Sequence, residues 1–298
     1  MSESQRARVG VAISTTGDTH RMDLLRQSVA AWRSALAVDG TTEAVPIFVT
    51  VDGLAEDVER VVEAIGYEPA PVYQVGQHDI GVPLQNRMGV AANKNTGLEL
   101  LMDAGVEHLF LSDDDTWPLY PQSLGKHTDL GVPHSMVCWS KHRLDAGSFG
   151  EHARWSWPRG AMLYMTREVV NRVGGMVEAF GPGGHEHVEY SQRIYNAGLT
   201  PAPFISPASY ATRDGMGAAA LWHAEDMRRP GEPLGNHRLR RRELTSVRRT
   251  DGDWEKINEI MAEQQGSADF VPYWAGNNGR ASATLCSSNP SQGAGQNE

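Results

Sequence analysis

Between Arg8 and Leu119 the chain switches repeatedly between two side-chain periodicities, and this alternation limits the possible fold more than any other feature. "RVGVAIST" (Arg8 to Thr15) reads as a buried strand. "THRMDLLRQSVAAWRSAL" then places Met22, Leu25, Val29 and Trp32 at helical spacing. "VPIFVTVDG" is a β-branched run closed by an Asp-Gly turn, and "DVERVVEAIG" is a short amphipathic helix stopped by Gly66. "APVYQVG" predicts a third strand and "GVAANKNTGLELLMDAG" a helix ending at Gly105. "VEHLFLS" predicts a fourth strand, which runs into three aspartates. Strands alternating with helices predict an α/β fold, Rossmann-like, with a doubly wound and mostly parallel sheet.

The second half is less regular. "SMVCWSKH" and "GAMLYMT" predict strands, "REVVNRVGG" a short helix, and "GPGGHEHVEYSQRIYNAG" a glycine loop running into a helix. A chain of 298 residues suits one large domain or two small ones. The expected divisions are residues 1–120, the alternating half, and 121–225, an irregular second half of the same domain. An Arg-rich extension follows over 226–274, then a small, polar, disordered tail over 275–298. No apolar run reaches the length of a membrane span, and "MSESQRAR" has no apolar signal-peptide segment. Cys138 and Cys286 are the only cysteines, which argues against a disulfide framework. The expectation is a cytoplasmic protein of a bacterium or phage-infected host.

Ligands of open α/β sheets bind beyond the carboxyl ends of the strands. Three such ends carry polar groups here: "STTGD", Asp52 and "SDDDT". Consecutive carboxylates repel one another unless a cation offsets the repulsion, and oxygen donors suit a hard ion such as Mg²⁺ or Mn²⁺. The alternative is that one aspartate caps a helix starting near Trp117 while the others are solvated.

With these motifs in order, the chain resembles the GT-A glycosyltransferases, metal-dependent nucleotide-sugar transferases with a D-x-D motif. The resemblance runs from about Arg8 to His223. It is carried by "VAISTTGD", "VTVDG", "NRMGVAANKNTGLELL" and "LSDDDTWP", and by "GGHEHVEYSQRIYNAG", whose spacing from Glu186 to Gly198 is similar to that of family-2-like enzymes and polypeptide N-acetylgalactosaminyltransferases. It implies donor-binding roles for Thr15, Thr16, Asp52, Arg87, Asn93, Lys94, Asp113 and Asp114. Asp113 would meet the ribose or the metal, Asp114 would face the sugar, and Asp115 would hold the metal. A C-terminal histidine ligand is implied as well, His223 with His237 as runner-up. Glu186 and His187 are the implied catalytic residues, Glu186 the candidate base, and Trp157, Glu189 and Arg193 the implied acceptor contacts. The sequence departs from the family in the extra His185 and in His187, which replaces the usual Asp or Asn. The base and the stereochemical outcome therefore stay open.

The implied function is metal-dependent transfer of a sugar from a nucleoside diphosphate sugar, with UDP favoured, to a hydroxyl on a protein or glycan. A net charge of −10 argues against a general nucleic-acid coat. The arginines of Arg238–Arg249 nevertheless leave modified DNA open as an acceptor, as for a phage-type enzyme glucosylating hydroxymethylated bases. That run also reads as a solvated face. A nucleotide-binding module without turnover remains a further alternative. So does a nucleotidyltransferase, although no G-x-x-x-x-G-K-[ST] loop is present.

Overall fold

The computed structural model describes residues 8–37, 46–66, 70–75, 88–118, 123–137, 152–156, 158–181, 184–207, 221–223 and 251–273. Four strands run in parallel in the first half: β1 (Val9–Thr15), β2 (Ile47–Val51), β3 (Val72–Gln74) and β4 (His108–Asp113). They alternate with α1 (Met22–Ala37), α2 (Ala55–Ile65) and α3 (Val90–Asp103). After the short β5 (Thr116–Pro118) and α4 (Gly125–Thr128) come β6 (His134–Val137), β7 (His152–Arg154) and β8 (Arg159–Thr166). Then follow α5 (Arg167–Val173), α6 (Glu186–Asn196), β9 (Ile205–Pro207), β10 (Leu221–His223) and α7 (Asp251–Glu263).

The main sheet has the order β3-β2-β1-β4-β8-β6. β8 runs antiparallel to both β4 and β6, so the sheet is mixed, and the parallel expectation holds for its first four strands. Both faces are covered. Leu25, Val29 and Trp32 of α1 and Val58 and Val61 of α2 pack on one face against Val11, Ile13 and Val49. Leu98 and Leu101 of α3, Val169 of α5 and Ile194 of α6 fill the other with Leu111 and Leu163. A Cβ on Gly97 would lie 2.6 Å from the Ala12 Cβ, so the glycine lets α3 press directly onto β1.

β1 pairs with β2 on one side and β4 on the other, so the chain reverses its direction of sheet building there. This is the topological switch point at which open sheets place ligands. Two ribbons lie outside the main sheet, β5 with β10 and β7 with β9. α7 falls inside the span expected to be an Arg-rich extension. It packs Ile257 and Ile260 against Phe180, and Val271 after it bridges to Gly174. Among the described residues no helix is long and apolar enough to cross a membrane. Arg238–Arg249 and 275–298 lie outside the described residues.

Candidate functional site

The three aspartates do not cap a helix. β4 ends at Asp113, Asp114 and Asp115 turn, and β5 begins at Thr116. The turn divides them. Asp114 is 1% exposed and accepts from Thr15 Oγ1 at 2.5 Å and from Arg21 Nε at 2.8 and 2.9 Å, with a further ion pair to the Arg21 terminal nitrogen. Burial alone would lower the Arg21 pKa. The charges of Asp114, Asp115 and Asp113, with the Asp114 hydrogen bonds, raise it well above the ordinary value. The same guanidinium reaches Asp115 at 3.1 Å. Asp114 therefore faces inward, as the anchor of the turn, and not toward a sugar as expected. Sequence reasoning missed Arg21, which stands 93 residues from its partner.

Thr15 and Asp52 are also braces. Thr15 Oγ1 accepts from the Gly17 amide at 3.1 Å while donating to Asp114. Asp52, at the end of β2, accepts from the Met88 amide at 3.0 Å and the Gly89 amide at 2.8 Å. Its two oxygens pin the approach to α3, an environment different from that of the nucleoside contact that was expected. Thr16 donates to Asp18 at 2.8 Å. Asn93, on the first turn of α3, donates through Nδ2 to the Thr15 carbonyl at 3.0 Å. Its Oδ1 is buried with no hydrogen-bond partner among the described residues. A buried acceptor left unpaired is costly, so this atom calls for a donor from a ligand or water.

A second group of expected residues meets around Lys94. Lys94, 1% exposed, extends from α3 to Asp113 Oδ1 at 2.9 Å and to the Gly160 carbonyl at 2.6 Å. Gly160 lies against the His187 ring, since a Cβ there would sit 2.6 Å from His187 Cγ. His187 Nδ1 is 3.2 Å from Glu186 Oε1, and Glu186 Oε2 accepts from the Gly184 amide at 2.6 Å. Burial would raise the Glu186 carboxyl. The His187 hydrogen bond and charge, the Gly184 amide and the Lys94 charge outweigh it and bring the carboxyl down to about 2. A carboxylate held this low is a weak proton acceptor near neutrality, which works against Glu186 as the base. Just before it, His185 adopts a left-handed backbone, φ 66°. This conformation is uncommon for a residue with a Cβ and turns the loop into α6.

Glu189 and Arg193 do not face an acceptor. They are 2% and 1% exposed and paired at 2.7 Å one helical turn apart, and the Arg193 guanidinium donates to the carbonyls of Val173 and Gly175. They tie α6 to the end of α5. Trp155 is likewise a core residue, donating to Ser206 Oγ at 2.9 Å. Arg87 and Trp157 lie outside the described residues.

For a cation, the described donors are the carboxylates of Asp113 and Asp115. Asp113 stands at the rim with 35% of its side chain exposed. Hard oxygen donors suit Mg²⁺ or Mn²⁺. The turn sets three carboxylates against the charges of Arg21 and Lys94, leaving it net negative. Among the described residues, however, no three His, Cys, Asp or Glu side chains converge as a ligand set. The backbone of His223 pairs with Thr116, next to Asp115; its side chain lies outside the description. In donor chemistry and in charge, the carboxylates of Asp113 and Asp115 fit a hard cation.

No protein-family model and no curated protein matches the chain. Several solved structures share its outline. A Drosophila β-1,4-galactosyltransferase 7 mutant, in complex with manganese, UDP-Gal and xylobiose, is 15% identical over 82% of each chain, with a TM-score of 0.39. A glycosyltransferase involved in glycosylating the major capsid protein of the virus PBCV-1 is 8% identical over 79% of this chain and 99% of its own, with a TM-score of 0.36. A putative glucose-1-phosphate thymidylyltransferase from Bacillus anthracis, in complex with a sucrose, is 12% identical over 70% and 92%, with a TM-score of 0.39. Overlaps this loose decide neither reaction nor ligand.

Proposed function

We propose that this chain is a glycosyltransferase that moves a sugar from a nucleoside diphosphate sugar, a UDP-sugar in the first instance, to a hydroxyl on a protein or glycan. One observation carries the reading. Lys94 joins Asp113, at the end of β4, to the carbonyl of Gly160, which lies against the His187 ring. The residues read as donor-side and acceptor-side are thereby joined through one buried ammonium.

The division of labour follows from charge. As a sugar departs from a diphosphate, negative charge grows on the bridging phosphate oxygen. The Lys94 ammonium, excluded from water, and the first-turn amides of α3 are suited to stabilise it. Asn93 Oδ1 supplies the missing acceptor for a donor hydroxyl. Mn²⁺ or Mg²⁺ would be held by Asp115 and His223, with Asp113 meeting the ribose or the ion, and would supply Lewis-acid stabilisation of the leaving diphosphate. The Glu186–His187 pair serves the acceptor hydroxyl.

The test is nucleotide release from a panel of UDP- and GDP-sugars with MnCl₂. Turnover should need the metal, be quenched by EDTA and be lost in both Asp115→Ala and Asp115→Asn. Pyrophosphate release from a nucleoside triphosphate, with no sugar cleavage, would point instead to nucleotidyl transfer. Nucleotide binding with no turnover on any donor would leave a binding module.

A further inference from the structure

Resting on the glycosyl-transfer reading, we infer that His187 is the group that takes the acceptor proton and that Glu186 is its positioning residue, so that transfer is a single displacement with inversion at the anomeric carbon. The two ends of the imidazole are differently placed. Nδ1 faces Glu186 Oε1 at 3.2 Å, while Nε2 makes no hydrogen bond among the described residues and the side chain is 17% exposed. A carboxylate at Nδ1 selects the tautomer with its proton there, which leaves the Nε2 lone pair available as a proton acceptor.

The surroundings fix this ring from three sides. The glycine at 160 gives it a flat wall, because any Cβ there would overlap Cγ. The Gly184 amide holds the second oxygen of Glu186, so that carboxylate cannot rotate away from the ring. The His187 carbonyl accepts from Ser191 Oγ at 2.9 Å, and Ser191 Oγ lies 2.9 Å from Nε2 of the fully buried His134. The backbone beneath the ring is thereby tied to β6. Glu186 itself is 5% exposed with both oxygens engaged, and its depressed pKa adds to the reasons why it keeps its charge and does not take up a proton.

Nε2 takes the proton of the acceptor O–H, and the acceptor oxygen forms a bond to the anomeric carbon. The bond from that carbon to the diphosphate oxygen breaks, and its electron pair leaves with the diphosphate. The imidazolium formed is stabilised by the Glu186 anion. Backside attack leaves the new bond with inverted configuration.

Water serves as the acceptor in the test, with UDP-galactose and UDP-glucose, both α-linked, as donors in MnCl₂. Proton NMR of the first-formed free sugar should show the β-anomer. His187→Ala should slow cleavage by about 10²–10⁴-fold, with UDP affinity by calorimetry unchanged and partial rescue by added imidazole. Glu186→Gln should lower kcat at least about tenfold while leaving KM near its original value. A first-formed α-anomer would overturn the assignment. So would undiminished cleavage by His187→Ala, with wild-type turnover leaving the glycosyl-transfer reading intact. A wild-type protein inert on these donors and on the rest of the UDP- and GDP-sugar panel would fail that reading and this assignment together.

Discussion

Arg21 closes its guanidinium on Asp114, and removing it would strand a carboxylate that is 1% exposed. Arg21→Ala is expected to destabilise the fold by about 3–5 kcal/mol in urea unfolding, the usual cost of breaking a buried pair from one side. Arg21→Lys should not restore it, because a single ammonium cannot reproduce the two-pronged contact. Gly160 makes the opposite kind of prediction. Gly160→Ala should leave UDP affinity intact yet reduce sugar cleavage toward the level of His187→Ala, since the new Cβ displaces the His187 ring. Sequence motifs pointed to Asp113, Lys94, Glu186 and His187 because each sits in a strand end, helix start or glycine loop with a recognisable pattern. Asp52 stood in an equally good motif, but its oxygens hold the Met88 and Gly89 amides, and nothing in "VTVDG" reports a partner 37 residues away. Arg21 had no local signal, since its position before a helix is ordinary and its partner lies far along the chain.

At the level of elements, α6 depends on a pair to which the family resemblance gave an acceptor role. Glu189 and Arg193 lie one turn apart and inward, and the guanidinium takes up carbonyls left open where α5 ends. Arg193→Ala is expected to cost about 3–5 kcal/mol by denaturation, with UDP affinity of the folded protein unchanged. A loss of acceptor use at full stability would contradict this. Periodicity alone predicted β1 through β4 with their helices, because each helix shows a stripe and each strand a turn signal. It left the direction of β8 open. A strand buried on both faces, such as "GAMLYMT", has the same apolar pattern whether it runs up or down. α7 went unassigned although Trp254, Ile257 and Ile260 recur at helical spacing, because the arginines before it dominated the composition.

Across the whole molecule, acid should unfold the protein through its interior histidines. His127 and His134 are buried beside Ser135, Tyr164 and Ser191. Burial brings them down to about 3 and about 4, with their mutual repulsion adding for His127 and the Tyr164 carbonyl opposing it for His134. Their folded values lie below the ordinary 6.5, so the unfolded chain takes up protons first. Stability is therefore complete above pH about 6.5 and declines as pH falls toward 4. The maximum slope is about 3 kcal/mol per pH unit for two such groups. Glu186 extends the loss below 4.5, as its folded carboxyl also titrates low. Urea midpoints measured from pH 7 to 5 should fall steeply, and less so in His127→Gln. Which bond of the donor is cleaved separates glycosyl transfer from cleavage of the diphosphate. Time-resolved proton and phosphorus NMR of UDP-galactose with the protein and MnCl₂ reports it directly. UDP together with β-galactose as the first-formed sugar is expected; galactose 1-phosphate with UMP, or an intact donor, would contradict glycosyl transfer.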